Sequence, residues 1–415
     1  MDAGALREAL RRESRARIRR ALALAAPLLL FLLFTFLVPI GALLLRAVDN
    51  PEVAQALPRT VRALQGWRGE AAPPDAAFTA LAADLSALGE QAEAGALARR
   101  LNSDASGARS LVMTTWRALA SPAGKAATPG QAAAPGSGAR AALLAIDARW
   151  GEPRFWEVIA RNGSRWTPDY LLAAVDLERD ARGTITAMPP EQTVFRAILW
   201  RTLGIAAVVT LSCLLLGYPL AWWLATLPTR TASRVLILVL VPFWTSILVR
   251  VAGWIVLLQS GGLVNQGLLA AGLIQTPLAL LFNRTGVIVA MVHILLPFMI
   301  LPLYSVMRAI PPDYLRAAVS LGSHPVQAFG RVVLPQTTPG IGAGCLLVFI
   351  LSLGYYVTPA LVGGPADQML SYSVAQYANV NLNWGMACAL GTVLLAVTLI
   401  LYGLYRRYGH AALAL

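Results

Sequence analysis

The chain has 415 residues, 57% of them hydrophobic and 13% charged, and a formal net charge of +13. Soluble globular chains carry about 25% charged residues, so this composition excludes an ordinary soluble enzyme and points to a membrane protein. The basic excess lies in short segments beside apolar blocks, which is an orientation signal; no aromatic–basic stripe accompanies it, so no nucleic-acid partner is expected.

Residues 1–20 carry seven arginines against three acids and read as a basic cytoplasmic tail. Residues 21–45 form the first apolar block, longer than the roughly 20 residues that span a hydrocarbon core. Its apolar core exceeds that of a secretory signal, and no small-x-small site follows before Arg46, so an uncleaved transmembrane helix is expected. Residues 46–195 are nearly neutral and are predicted to form one extracytoplasmic domain, a helical spacer or a docking surface, with helical stretches at 76–101 and 166–180. Residues 121–140, rich in Ala, Gly and Pro, read as a flexible tract within it.

Five further apolar blocks follow, at about 202–225, 235–258, 286–307, 340–361 and 386–404. A backbone in lipid must satisfy its own polar groups, so each block is predicted to be a helix, giving an all-α protein with six spans. With the N-terminus inside, the short inner segments hold fourteen arginines and the short outer loops only Arg284. That bias predicts cytoplasmic N- and C-termini. The outer loop 259–285, broken by five residues from Gly261 to Pro277, reads as a short helix at the outer interface.

Residues that could carry out chemistry are few. The histidines are His293, His324 and His410, the cysteines Cys213, Cys345 and Cys388 lie in apolar blocks, and Lys125 is the only lysine. Neither metal-ligand spacing nor a phosphate-binding loop is present, so no catalytic site, metal or cofactor is expected in this chain. Candidates to line a translocation path are Tyr218, Trp222, Trp244, Arg250, Tyr304 and Tyr355, because aromatic faces attract cations and an intramembrane charge is costly unless it has a role. His293 and Pro297 share one span, which predicts a kinked helix with a hydrogen-bonded histidine.

The most informative segment is 311–341. Pro311, Pro312 and Asp313 are suited to open a helix. Leu315, Ala318 and Leu321 then fall on one side of it, and Gly322 is placed to stop it. Ser323 or His324 can cap a second helix, opened by Pro325 and predicted to end where Leu334 and Pro335 break it. Two short helices meeting at a glycine form a compact projecting knob.

The order Ala317, Ala318, Gly322, Phe329, Leu334, Pro335 resembles the cytoplasmic loop of permease subunits of binding-protein-dependent ABC importers. Residues 242–246, 248–250, 262–265, 295–303 and 339–341 are similar to the spermidine/putrescine-type members, and the resemblance covers about 195–408. It implies a type I ABC importer core at 196–408, with a coupling loop at 309–338 contributed by Asp313, Tyr314, Arg316, Ala317, Ala318, Gly322, Phe329, Leu334 and Pro335. Arg316 stands where the family usually has an acid, and Asp313 lies one turn away. The resemblance further implies an inner-membrane location in lipid, a homologous second permease, two ABC ATPase subunits that bind ATP and Mg, an extracytoplasmic solute-binding protein, and a polyamine or related amine as cargo. The rival readings are a secondary transporter, which would normally show an internal repeat and intramembrane acids, and a membrane-anchored scaffold acting through 46–195.

Overall fold

A computed structural model describes residues 21, 23–67, 69, 72–120, 137–179 and 183–411. The basic tail and most of the Ala/Gly/Pro tract lie outside these residues. The chain divides into two compact units, residues 1–168 and 169–415.

The first unit begins with α1 (Ala23–Arg46), 24 residues long and apolar enough to cross a membrane. Its Leu28, Phe31, Phe34 and Leu37 are exposed, as lipid-facing side chains are. Among the described residues eight shorter elements follow. Six α-helices come first: α2 (Pro51–Ala56), α3 (Pro58–Ala63), α4 (Asp75–Ala87), α5 (Gln91–Asp104), α6 (Ala108–Ala120) and α7 (Ser137–Ile146). A 3₁₀ turn at Ala148–Gly151 and α8 (Pro153–Arg161) complete the unit. The stretch expected as one helix at 76–101 is therefore two, with Leu88 and Glu90 in extended conformation between them.

These helices enclose a hydrophobic core of their own, with Leu57, Phe78, Leu85, Leu97, Leu111, Trp150 and Trp156 all buried. Trp156 lies 4.6 Å from Phe78 and 5.5 Å from Trp150, centroid to centroid, in tilted and edge-on arrangements that suit the ring quadrupoles. Both indole N–H groups are satisfied: Trp150 donates to Thr115 Oγ1 and Trp156 to the Trp150 carbonyl, each at 2.8 Å.

A buried polar hub crosses this core. The Arg100 side chain, 5% exposed, donates to Asp104 Oδ1 at 2.8 Å and to Asn50 Oδ1 at 2.9 Å, and also reaches Asn162 Oδ1. Burial alone pushes the Asp104 carboxyl up, but Arg100, Arg161 and Asn162 outweigh it and hold the group below the usual carboxylate range. A carboxyl depressed on folding adds stability that is complete above its unfolded value, about pH 4, and is lost as the pH falls through the folded one. Hydrogen exchange of the segments around Trp150 and Trp156, followed against pH, is expected to show an acid-side loss of stability that Asp104→Asn flattens. An unchanged pH profile in the variant would contradict this role.

The second unit opens with α9 (Asp169–Ala173) and an antiparallel hairpin of β1 (Leu177–Arg179) and β2 (Ile185–Ala187). The helix expected at 166–180 is thus cut to five residues and gives way to a strand. The division at Pro168 also falls earlier than the expected boundary at 195, for a physical reason. Tyr170 fits so closely over Gly385, near the start of the last span, that a Cβ there would lie 2.4 Å from its ring. Asp176, 1% exposed and left-handed at φ 58°, accepts hydrogen bonds from the backbone N–H groups of Val194, Phe195 and Arg196 at 2.7–3.1 Å. It caps the next span from 18 residues away. Asp176→Ala removes that acceptor and is expected to cost roughly 1–3 kcal/mol; denaturant titration of the purified protein measures it, with Asp176→Asn expected to fall between the two.

The spans of this unit are assembled from α10 (Phe195–Thr226), α11 (Thr229–Leu240), α12 (Ile247–Leu258), α13 (Leu263–Ala270), α14 (Arg284–Ala309), α15 (Asp313–Ser320), α16 (Pro325–Ala328), α17 (Leu334–Gly354), α18 (Val357–Val362), α19 (Leu370–Asn379) and α20 (Trp384–Ala411). Among the described residues, six helices are long and apolar enough to cross a membrane. Two of the expected spans are displaced. The block at 235–258 is broken at Val241–Trp244, a 3₁₀ turn opened by Pro242, and extended conformations at Thr245 and Ser246 complete the break. The candidate span there is Ile247–Ala270. The block at 340–361 ends at Gly354: Pro359 cannot donate to the Tyr355 carbonyl, and Ser371 Oγ does so instead at 2.6 Å.

Helices α10, α14 and α17 form the centre of the unit, around Val209, Leu224, Met291, Leu295, Met299 and Val348. Small residues let them approach. A Cβ on Gly344 would lie 2.7 Å from Met299 Sδ, and one on Gly340 3.2 Å from the Pro302 carbonyl. This spacing of four is a stripe by which membrane helices approach closely. Asn265 ties the loop after α13 together: its amide donates to the Leu278 carbonyl and accepts from the Leu278 N–H, at 3.0 and 2.8 Å.

Candidate coupling site

The projecting knob begins at α15, whose side chains are largely solvent-facing. Leu315 and Ala318 are half-buried, as their shared side predicts, but Leu321 is 89% exposed and stands apart from them. It occupies the cap position beyond the last helical turn, where the periodicity no longer applies. Gly322 stops the helix as expected. It sits at φ 91°, its N–H bonded to the Val319 carbonyl at 3.0 Å, while the Ser323 N–H reaches back to Ala318 at 3.1 Å. These two bonds form a Schellman motif, which favours glycine at the left-handed position.

His324, one of the two expected caps, accepts from the Val326 N–H through Nδ1, and Pro325 opens α16. The expected break at Leu334 and Pro335 does not occur. A π-helical segment, Phe329–Val333, leads directly into α17, so the helix runs on through both residues. The wider π turn accommodates the proline, and the Gln336 amide donates to the Val332 carbonyl at 2.7 Å, supplying a bond inside the loosened turn.

Two residues expected along a translocation path pack against this loop. Trp222 meets Phe329 edge-on at 5.0 Å and Tyr218 does so at 6.3 Å, from positions one turn apart on α10. Tyr218 also shares a 3.1 Å hydrogen bond with Thr337. Thr337 already donates to the Leu334 carbonyl at 2.8 Å, so Tyr218 is the donor. Phe329 is thus clasped between the loop and the central helix α10. Arg308, at the end of α14, fixes the neighbouring turn by donating to the carbonyls of Ala225 and Leu227 and to Thr229 Oγ1 at 2.8–3.0 Å.

Arg316 pairs with Asp313 at 3.3 Å, both side chains being at least 75% exposed. The two charges are matched within the helix, and the surface of the knob is dominated by Tyr314, Val319, Leu321 and Val326, all exposed. Such a surface suits a complementary apolar cleft better than a charged one.

The other path candidates are dispersed. Trp244 is 72% exposed on the 3₁₀ turn, and Tyr304 is half-buried against the central helices. Arg250 on α12 is half-buried, with its Nε enclosed and lacking a hydrogen-bond partner among the described residues. One turn along, the Trp254 indole donates to His293 Nδ1 at 3.1 Å, the hydrogen-bonded histidine expected in that span. Tyr355 borders the same small cluster as Trp254, around Val251, Leu258, Ile294 and Val362. Sequence reasoning missed Asp176, Asn265 and Thr337, whose partners lie far along the chain or in irregular loops.

A bundle of membrane helices closed around small residues, with a rigid apolar knob at one end, defines a membrane transport subunit. Residues 193–411 match the family described as the binding-protein-dependent transport system inner membrane component, and the chain belongs to that family of multi-pass permeases. It is 39% identical over 209 residues to the spermidine/putrescine transport system permease protein PotB of Salmonella typhimurium, covering 49% of this chain and 72% of that protein. PotB of Escherichia coli is 38% identical, with 49% and 76% covered. The inner membrane ABC transporter permease protein YdcU of Escherichia coli is 32% identical over 226 residues, with 51% and 71% covered.

Proposed function

We propose that this chain is one permease subunit of an ATP-driven importer that brings a polyamine or related small amine across the inner membrane. The observation that carries the reading is the Gly322 knob, exposed at its tip and continuous with α17 at its base. In this reading the N- and C-termini are cytoplasmic and residues 46–195 extracytoplasmic. A second homologous permease completes the pore, two partner ATPase subunits bind ATP and Mg, and an external binding protein delivers the cargo. The names of the PotB relatives support the polyamine assignment. Closure of the ATPase pair moves α15, and the Phe329 clasp and α17 pass that movement into the central helices.

The test is uptake of labelled spermidine into proteoliposomes holding the purified complex with its ATPase side facing the lumen, with ATP inside and the binding protein outside. Uptake is expected only with ATP and binding protein together. Uptake driven by a proton gradient without ATP would overturn the reading in favour of a secondary transporter.

A further inference from the structure

The first unit carries a cleft of about 580 Å³ between α5 and α6 that the transport reading does not use. The two helices run as a hairpin. Gln91, Gly95, Arg99 and Asn102 line the cleft from α5, and Arg109, Ser110, Thr114 and Arg117 from α6. The spacing explains this convergence: the α5 set recurs every three or four residues, as do Ser110, Thr114 and Arg117 on α6 with Arg109 beside Ser110, so each forms one stripe, and the stripes face each other.

The cleft is built from donors. It has three guanidinium groups and no carboxylate in its lining, and among the described residues none of Arg99, Arg109 and Arg117 has an ion-pair partner. Nearby arginines do not share this state: Arg100 is paired with Asp104, and Arg149 with Asp147. Asn102 Oδ1, the one strong side-chain acceptor facing this turn from α5, is already occupied by the N–H groups of Gly107 and Arg109 at 3.1 and 3.2 Å. Gly95 lies in the interior of α5, where glycine costs a helix about 1 kcal/mol relative to alanine. A Cβ there would stand in ordinary contact, 3.5 Å from Arg99 Nη1, so glycine leaves extra room beside that guanidinium.

We infer that this cleft binds a phosphate-bearing anion, either a small soluble phosphate compound or a phospholipid headgroup. Planar guanidinium forks pair two hydrogen bonds with phosphate oxygens, and three of them converging suit a multiply charged anion. The volume is that of a small-molecule site. A cationic amine is repelled by the same charges, so the cleft is not a relay for such cargo. The inference is independent of the proposed transport reading.

Hydrogen exchange over residues 91–120 of the full-length protein tests it, in two arms. In detergent, inorganic pyrophosphate is expected to protect both helices saturably if the ligand is soluble. In lipid nanodiscs without pyrophosphate, phosphatidylglycerol is expected to protect them more than phosphatidylcholine if the ligand is a headgroup. In whichever arm responds, the triple variant Arg99→Gln, Arg109→Gln, Arg117→Gln is expected to weaken binding by roughly tenfold or more, and added salt to weaken it further. Arg62→Gln, which removes a positive charge outside the cleft, is expected to leave it unchanged. The cleft variants alter exposed side chains, and hydrogen exchange of the α4 and α8 segments, measured in the same experiment, reports whether the core is intact. Protection in neither arm, or equal protection in wild type and the folded triple variant, overturns the proposal.

Discussion

A Gly322→Val chain is expected to lose most ATP-coupled uptake while its membrane spans still form. The reason is conformational. No atom lies within 4 Å of a Cβ built at Gly322, but the residue holds φ at 91°. A β-branched residue there costs about 1–3 kcal/mol, and the chain can avoid that strain only by abandoning the Schellman turn that sets the knob. If that cost falls on docking, it corresponds to roughly 5- to 150-fold weaker engagement of the ATPase. Asn tolerates the left-handed region, so Gly322→Asn is expected to retain more uptake than Gly322→Val at equal protein level. The measurement is uptake per molecule of ATP hydrolysed in proteoliposomes. Normal coupled uptake by the valine variant would remove this loop from the coupling role.

Phe329→Ala is expected to separate hydrolysis from transport. The substitution deletes the ring held by Tyr218 and Trp222, two edge-on contacts each worth about 0.5–1.5 kcal/mol beyond the area they bury. The knob keeps its Schellman turn and its exposed apolar surface, so docking persists. What is lost is the hold of the loop on α10. The expected result is ATPase activity close to wild type with uptake reduced at least several-fold, and partial recovery in Phe329→Tyr. A parallel fall in both activities would show that Phe329 serves only to fold the loop. Tyr218→Phe, which removes the hydrogen bond to Thr337 and keeps the ring, is expected to have the smaller effect.

The parts of this architecture legible in the sequence are those set by local rules. Apolar block length predicts six membrane helices, and Pro325, His324 and Gly322 specify caps and a turn that depend only on their neighbours. The parts that sequence reasoning missed depend on distant partners. Leu334 and Pro335 look like a helix end, because proline removes a donor; the π segment and the Gln336 side chain that absorb the loss are visible only in three dimensions. The block at 235–258 is uniformly apolar, so hydropathy cannot register that Pro242 divides it. The packing of Tyr218 and Trp222 on Phe329 is equally hidden, because aromatic side chains in a membrane helix carry the same composition whether they face a channel or a loop. Asp176 gives no local sign that it caps a helix 18 residues later.

The continuity through Pro335 has a mechanical consequence. From Pro325 to Gly354 the chain is one helical run of 30 residues, which at 1.5 Å per residue is a rod about 45 Å long. Its first turns belong to the knob and its far end reaches Tyr355, beside the cluster that also borders Trp254. A hinge at residue 334 would have let the knob swivel without disturbing the bundle. In the proposed coupling a continuous helix instead works as a lever: the fulcrum is where Gly340 and Gly344 seat it against α14, and tilting the longer arm, which carries the knob, swings the shorter one in the opposite sense.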